Sequence, residues 1–252
     1  VGVVVAAVGR CGRPATRIVH LHAAEEERTV LHSRTIPQVP PTLFKDATLA
    51  GSTPDVLGDV PVDVPVDVLV VDGTIRSVGP DAAASPDAAG ATVVDLAGHL
   101  LLPAAVEPHA HLDKAFLAEV VPNPSGDLLG AIRAMETHRH LMSYDDTVAR
   151  AERAARLMAA NGYVAVRTHA DTTLDNGLTS VRALAEVRER VRDLIDIEIV
   201  ALCGRPVVGP AGADQRALLV DALAAGADLV GGCPHLEDFT PAGIEAATDV
   251  FL

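Results

Sequence analysis

The chain has 252 residues, enough for one large domain or two modest ones, and its 49% apolar and 21% charged residues predict a folded core rather than disorder. A formal charge of −14 excludes nucleic acid and anionic membrane surfaces as partners, because a polyanion would be repelled, and leaves a small neutral or cationic molecule. Aromatic residues make up 2% and Trp is absent, so the core has to be built from Ala, Val and Leu, which suits a sheet covered by Ala-rich helices.

The opening run VGVVVAAVGR is far shorter than the roughly 20 residues a membrane helix needs. No basic region precedes it, so no signal peptide is expected. Residues 1–42 pass through Arg10, Arg13, Arg17 and three consecutive glutamates without a sustained period, and are read as a poorly ordered N-terminal extension. Residues 43–102 read as short strands and turns, a small β-sandwich-type unit. LFKDATLA is a strand, a Pro/Gly/Asp-rich loop runs from Ser52 to Pro65, and VDVLVVDGTIRSVG alternates on both sides of Asp72-Gly73, a hairpin signal. ATVVDLAG is a further strand.

From Pro103 the rhythm changes to strand and helix in alternation. AAVEPHAHL is a strand, and a helix from Asp127 covers LLGAIRAMETHRH. Ser143 with Asp146 caps the next helix, which stops at Asn161-Gly162. YVAVRTHAD, IEIVALCG and DLVGGCPHLE follow as strands separated by helices, and Thr240 caps a last helix with Pro241 at its first position. The strands recur every 32 residues or so, which is one βα unit. Eight such units take about 250 residues, and about 150 remain after Pro103. Residues 103–252 therefore read as a partial TIM (β/α)8 barrel of about four units, truncated, which makes the chain α/β overall.

His109 and His111 stand at i and i+2 on a strand, so both imidazoles project from one face. Neutral imidazole is a good ligand for zinc or iron, and two on one face make half of a site. They sit at the C-terminal end of the first βα strand, where barrels place their chemistry. His169, Cys203 and His235 end the next three strands. His138 and His140 repeat the spacing inside an expected helix, where i and i+2 diverge, so they form no chelate. His20, His22, His32 and His99 read as solvated or local, and Glu152, Glu186 and Glu189 as exposed helix positions. Cys11, Cys203 and Cys233 are far apart with no CxxC, which argues against a disulfide framework or thiolate zinc knuckle and for a reducing cytoplasm. No phosphate loop, GxSxG elbow or HExxH motif occurs.

LLPAAVEPHAHLDKAF, ANGYVAVRTHAD and ALAAGADLVGGCPHLEDFTPAGIE together resemble the cytosine deaminase-like branch of the amidohydrolase superfamily. HxHLDK combined with RTHxD and GGxPHxE is specific to that branch. The resemblance covers residues 43–252. It implies one divalent metal, zinc or iron, held by His109 and His111 together with a fifth-strand His and an eighth-strand Asp that have no counterpart here. DLVGGCPHLE carries no Lys, which favours a single ion over the dinuclear arrangement. The general acid/base expected after the fifth-strand His is also without a counterpart, so no catalytic residue is assigned. Lys114, His169, Arg205 and His235 are the candidate substrate contacts. On the third strand Cys203-Gly204-Arg205 stands where cytosine deaminases carry a substrate-binding Gln, which argues against cytosine itself.

The resemblance thus implies a deaminase of a small nitrogen heterocycle, incomplete as this chain. The half-barrel reading leaves two partners open, a second copy in a homo-oligomer or a complementary C-terminal chain. Two alternatives remain: a non-catalytic half-barrel that self-associates through its open edges, and a hydrolase of the same superfamily acting on a cyclic amide or N-alkyl amine.

Overall fold

The computed structural model describes residues 2–8, 18–22, 40–49 and 65–252. Cys11, His32 and most of the Ser52–Pro65 loop lie outside the described residues. The chain divides into two compact units, one extending to Ala105 together with Ala160–Val164, the other Val106–Ala159 with Ala165–Leu252.

The first unit carries strands β1 (Gly2–Val8), β2 (Ile18–His22), β3 (Thr42–Leu49), β4 (Pro65–Val71), β5 (Thr74–Gly79), β6 (Thr92–Asp95) and β7 (Leu100–Leu102). All seven join in one hydrogen-bonded sheet, ordered β2-β1-β7-β3-β4-β5 with β6 also paired to β3, where the sequence predicts a sandwich. Within the stretch read as an irregular extension, β1 and β2 pair antiparallel, and β1 pairs β7. The physical reason is the Val-rich run itself, whose β-branched residues suit a strand, with Ile18 and Val19 of the same type in the partner segment.

The β4–β5 hairpin turns on Asp72 and Gly73, at φ 50° and 73°. Two positive φ values in succession are what a type I′ turn requires. In β3 the register shifts between Phe44 and Ala47, and Asp46, at φ 54°, donates its N–H to Asp67 Oδ1 at 3.1 Å. This bulge changes the parity of the strand, so Phe44, Ala47 and Leu49 all face one cluster with Val66, Val68, Val70, Leu96 and Leu101. Leu43 and Leu69 point to the opposite face against Ala82.

The second unit holds β8 (Ala105–Ala110), β9 (Tyr163–Thr172), β10 (Asp196–Cys203) and β11 (Leu229–Gly231), in the sheet order β11-β10-β9-β8. β9 to β11 are parallel. Five α-helices are described: α1 (Leu128–Thr137), α2 (Tyr144–Ala160), α3 (Thr179–Val191), α4 (Ala213–Ala224) and α5 (Pro241–Thr248). The caps read from sequence at Ser143 and Thr240 are present, and Asp127, read as a helix start, is a third. Asp127 accepts from Gly130 N–H at 2.6 Å, Ser143 Oγ from Asp146 N–H at 3.3 Å, and Thr240 Oγ1 from Gly243 N–H at 3.0 Å. The result is an α/β unit with a parallel sheet.

Helix α2 buries a stripe of small residues, Thr147, Val148, Ala151, Ala154, Ala155 and Ala159, spaced for one helical face. Helix α3 buries Val181, Leu184, Val187 and Val191 and packs on β10. Phe44 is the one aromatic in the buried core of the described residues, so aliphatic contacts carry both cores. Leu184 is fully buried under β10. Leu184→Ala is expected to destabilise the second unit by about 2–5 kcal/mol, lost transfer energy plus an unfilled cavity. Urea unfolding followed by far-UV circular dichroism measures it as a lowered midpoint, and a change within about 0.5 kcal/mol would contradict the packing described.

Candidate functional site

Alternation along β8 places Glu107 and His109 on one face, and His111, one residue past the strand, continues that parity. On β9 the same parity selects Arg167, His169 and Asp171, opposite Glu198, Val200 and Leu202 of β10. The imidazoles consequently meet. The His109 and His169 rings stack with centroids 4.1 Å apart, His109 and His111 lie edge to face at 5.3 Å, and His111 and His169 are 5.6 Å apart. These three with Arg167 form one side of a cavity of about 330 Å³, and Val200, Leu202 and the segment from Leu229 to Cys233 form the other. Arg167 is paired with Glu198 on the neighbouring strand.

His111 is the best-defined of the three rings. Its Nδ1 lies 3.1 Å from the backbone carbonyl of His169. A carbonyl only accepts, so Nδ1 carries the hydrogen and Nε2 the free lone pair. Burial, and then the Lys114 charge, pull the His111 pKa below the ordinary imidazole value. Burial and then His109 do the same for His169, only partly countered by the Ala110 backbone, and His169 Nδ1 is buried without closing a hydrogen bond. Both rings are therefore neutral at pH 7, the form that offers a lone pair to a metal.

The turn after His111 is fastened to β9. Leu112 N–H donates to the buried Thr168 Oγ1 at 2.9 Å, and Asp171 N–H donates to Asp113 Oδ2 at 2.9 Å. Asp113 has no exposed surface. Lys114 Nζ stands 2.7 Å from Asp171 Oδ1 and 3.3 Å from both Asp113 oxygens, and Arg139 Nη1 donates to Asp171 Oδ2 at 3.2 Å. Burial would raise the Asp171 carboxyl, but Lys114 and Arg139 override it and hold the group below the usual carboxylate range.

The candidates read from sequence divide into two sets. His109, His111 and His169 come together, with Lys114 at their edge. Arg205 and His235 do not line the cavity. Arg205 is exposed and donates to the Leu236 carbonyl at 2.9 Å, and His235 is exposed in the turn after β11. Cys203 ends β10 as expected, but its Sγ sits 3.1 Å from the Gly204 carbonyl, and burial, then Glu237, push its thiol up to about 11. His138 and His140 lie beyond the α-helix, His140 in the single 3-10 turn Arg139–Leu141. Helix α1 stops at Thr137, His138 is its C-cap with Nδ1 2.8 Å from the Ala134 carbonyl, and the two rings stack at 6.3 Å because the chain has already left the α-helical path. His99 is local as expected, its Nδ1 3.1 Å from the Ala97 carbonyl. Glu152 and Glu186 are engaged by Arg156 and Arg190 across the helix surfaces.

Reading for ligands alone passes over Asp113, Asp171, Thr168 and Arg139. A period-2 signal marks the two aspartates, each two residues beyond a site histidine. Among the described residues no group of three or more His, Cys, Asp or Glu side chains is arranged to hold a metal ion, and no helix is long and apolar enough to cross a membrane.

No family model matches the chain. Curated and solved relatives do. A pterin deaminase of Rhizobium rhizogenes is 32% identical over 136 residues, 54% of this chain and 30% of that protein. The 5-methylcytosine deaminase of Klebsiella pneumoniae, solved with 5-fluorocytosine, superposes with a TM-score of 0.65 at 29% identity, covering 83% of this chain and 48% of that one. The N-isopropylammelide isopropylaminohydrolase of Burkholderia multivorans gives 0.63 at 30%, covering 84% and 49%. The chain thus spans half or less of the length of these relatives. Over the part it spans, the chain is similar to these two deaminases and to this aminohydrolase.

Proposed function

We propose that β8 to β11 are the first strands of a catalytic (β/α)8 barrel, and that the barrel deaminates a small nitrogen heterocycle with one divalent metal ion, zinc or iron. The observation that carries this reading is the meeting of His109 and His111 on one sheet face, with His111 Nδ1 committed to a backbone carbonyl. Histidines that ligate metals commonly donate their second ring nitrogen in this way, which orients the ring and fixes the tautomer. Two imidazoles suit zinc or iron as donors but are half of a coordination set, in keeping with the lack of a larger cluster among the described residues. When bound, the ion supplies Lewis acidity that makes water a nucleophile at neutral pH.

Within this reading His109 and His111 hold the ion. His169, stacked on His109, and Lys114 are the candidate substrate contacts that stand beside them. Arg205 and His235 are kept in the turns outside the cavity. The remaining ligands and the general acid/base would come from a complementary C-terminal segment or chain. Cys203 and Cys233 are free, which fits a cytoplasmic setting.

Zinc titrated into the chain against a chromophoric chelator is expected to bind weakly at one site. His109→Ala or His111→Ala should each weaken it by at least about tenfold, the scale set by losing even an outer partner of a ligand. Tight, chelator-resistant zinc in the unaltered chain, or binding indifferent to both substitutions, would sink the assignment.

A second reading rests on β8 and β11, the two edges of the four-stranded sheet. Exposed edges invite pairing with another strand, so the chain would self-associate. Size-exclusion chromatography with light scattering is expected to give a dimer or larger species if this holds, and a stable monomer counts against it. Product analysis on an assembled barrel separates deamination, which releases ammonia, from N-dealkylation, which releases an alkylamine.

A further inference from the structure

Lys114 sits between groups that make conflicting demands on His111. Its Nζ is 3.4 Å from His111 Nδ1, and that same nitrogen is 3.1 Å from the His169 carbonyl. The carbonyl can only accept, so it needs a hydrogen on Nδ1. An ammonium can only donate, so it would need the Nδ1 lone pair. Nδ1 cannot satisfy both, and which tautomer His111 adopts depends on where the ammonium is drawn.

Asp171 is what draws it away. Its Oδ1 is the nearest partner of Nζ, at 2.7 Å, with Asp113 next at 3.3 Å. The Asp171 carboxylate is itself anchored: Oδ2 accepts from Arg139, its N–H donates to Asp113, and its carbonyl accepts from Asn176 Nδ2 at 2.7 Å. Side-chain exposures of 23% for Lys114 and 15% for Asp171 leave this ion pair only partly screened by solvent. A charge-assisted bond of this length is stronger than a donation to a neutral ring nitrogen at 3.4 Å.

We infer that Asp171 is a positioning residue that, by holding the Lys114 ammonium, keeps the hydrogen of His111 on Nδ1 and leaves Nε2 as its free donor atom. The value of that arrangement rests on His111 acting as a metal ligand, but its test does not.

The tautomer is read in the metal-free chain, labelled with ¹⁵N-histidine, at pH 8.5, where imidazole of ordinary pKa is neutral. Long-range ¹H–¹⁵N correlation then distinguishes the protonated nitrogen, with His111 identified by its loss in His111→Ala. The unaltered chain is expected to show Nδ1–H. In D171N the freed ammonium should move the equilibrium toward Nε2–H by about tenfold or more. K114M and the double variant D171N/K114M should both keep Nδ1–H, since the competing donor is gone. Persistence of Nδ1–H in D171N overturns the inference, as does its loss in K114M, a variant that leaves the Arg139 and Asp113 bonds to Asp171 in place and so decides the matter even if D171N fails to fold. A double variant that behaves like D171N marks a merely structural role and also overturns it.

Zinc competition on the same proteins separates the two readings. Affinity should fall about tenfold or more in D171N and recover in the double variant. A tautomer that shifts with zinc affinity unchanged removes His111 as a ligand and leaves the control of its tautomer by Asp171 standing.

Discussion

The site depends on a set of hydrogen bonds that tie the turn after β8 to the middle of β9. His111 Nδ1–H reaches the His169 carbonyl, Leu112 N–H reaches Thr168 Oγ1, and Asp113 receives Asp171 N–H. All three use a side chain where a regular ladder would use backbone, because the chain has already left the strand at Ala110. Breaking one would leave a desolvated polar group, at a cost of about 1–3 kcal/mol. From the helix side, Arg150 Nη1 donates to the carbonyls of Asp113 and Ala115, both at 2.9 Å, and so holds the same turn against α2. The imidazoles stand in fixed places because the backbone beneath them has few ways to move.

Charge is distributed to match. Burial favours the neutral form of His111 and His169, while the cations around them are each matched to a carboxylate: Arg167 with Glu198, Lys114 with Asp113 and Asp171, and Arg139 with Asp171 and Asp175. The wall contributed by β10 and β11 is mostly aliphatic. Such a cavity presents imidazole nitrogens beside an apolar surface.

Much of this was legible in the amino-acid order, and the parts that were not have specific causes. Asp72-Gly73, Ser143, Thr240 and Asn161-Gly162 declare turns and caps through local chemistry, and the structure has each of them. The β3 bulge was not legible, because LFKDATLA alternates well enough as a plain strand and only the pairing with β4 reveals the extra residue. His138 and His140 were misplaced because a helix end moved by a few residues changes which side chains are neighbours. Arg205 and His235 lie in turns that have no period from which to project a direction. Asp113 and Asp171 act on the histidines through a lysine and a backbone, and ligand spacing alone does not flag that kind of role.

The alternation of β9 has a consequence for how such a chain can vary. Arg167 and His169 line the cavity and Asp171 shares their face of the strand, while the intervening Val166, Thr168 and Ala170 are buried on the other side. Inserting or deleting a single residue would exchange the two sets wholesale, turning imidazole and carboxylate into the hydrophobic layer and aliphatic groups toward the cavity. Over evolutionary time this strand can change many of its letters one by one, but it has almost no freedom to change its length.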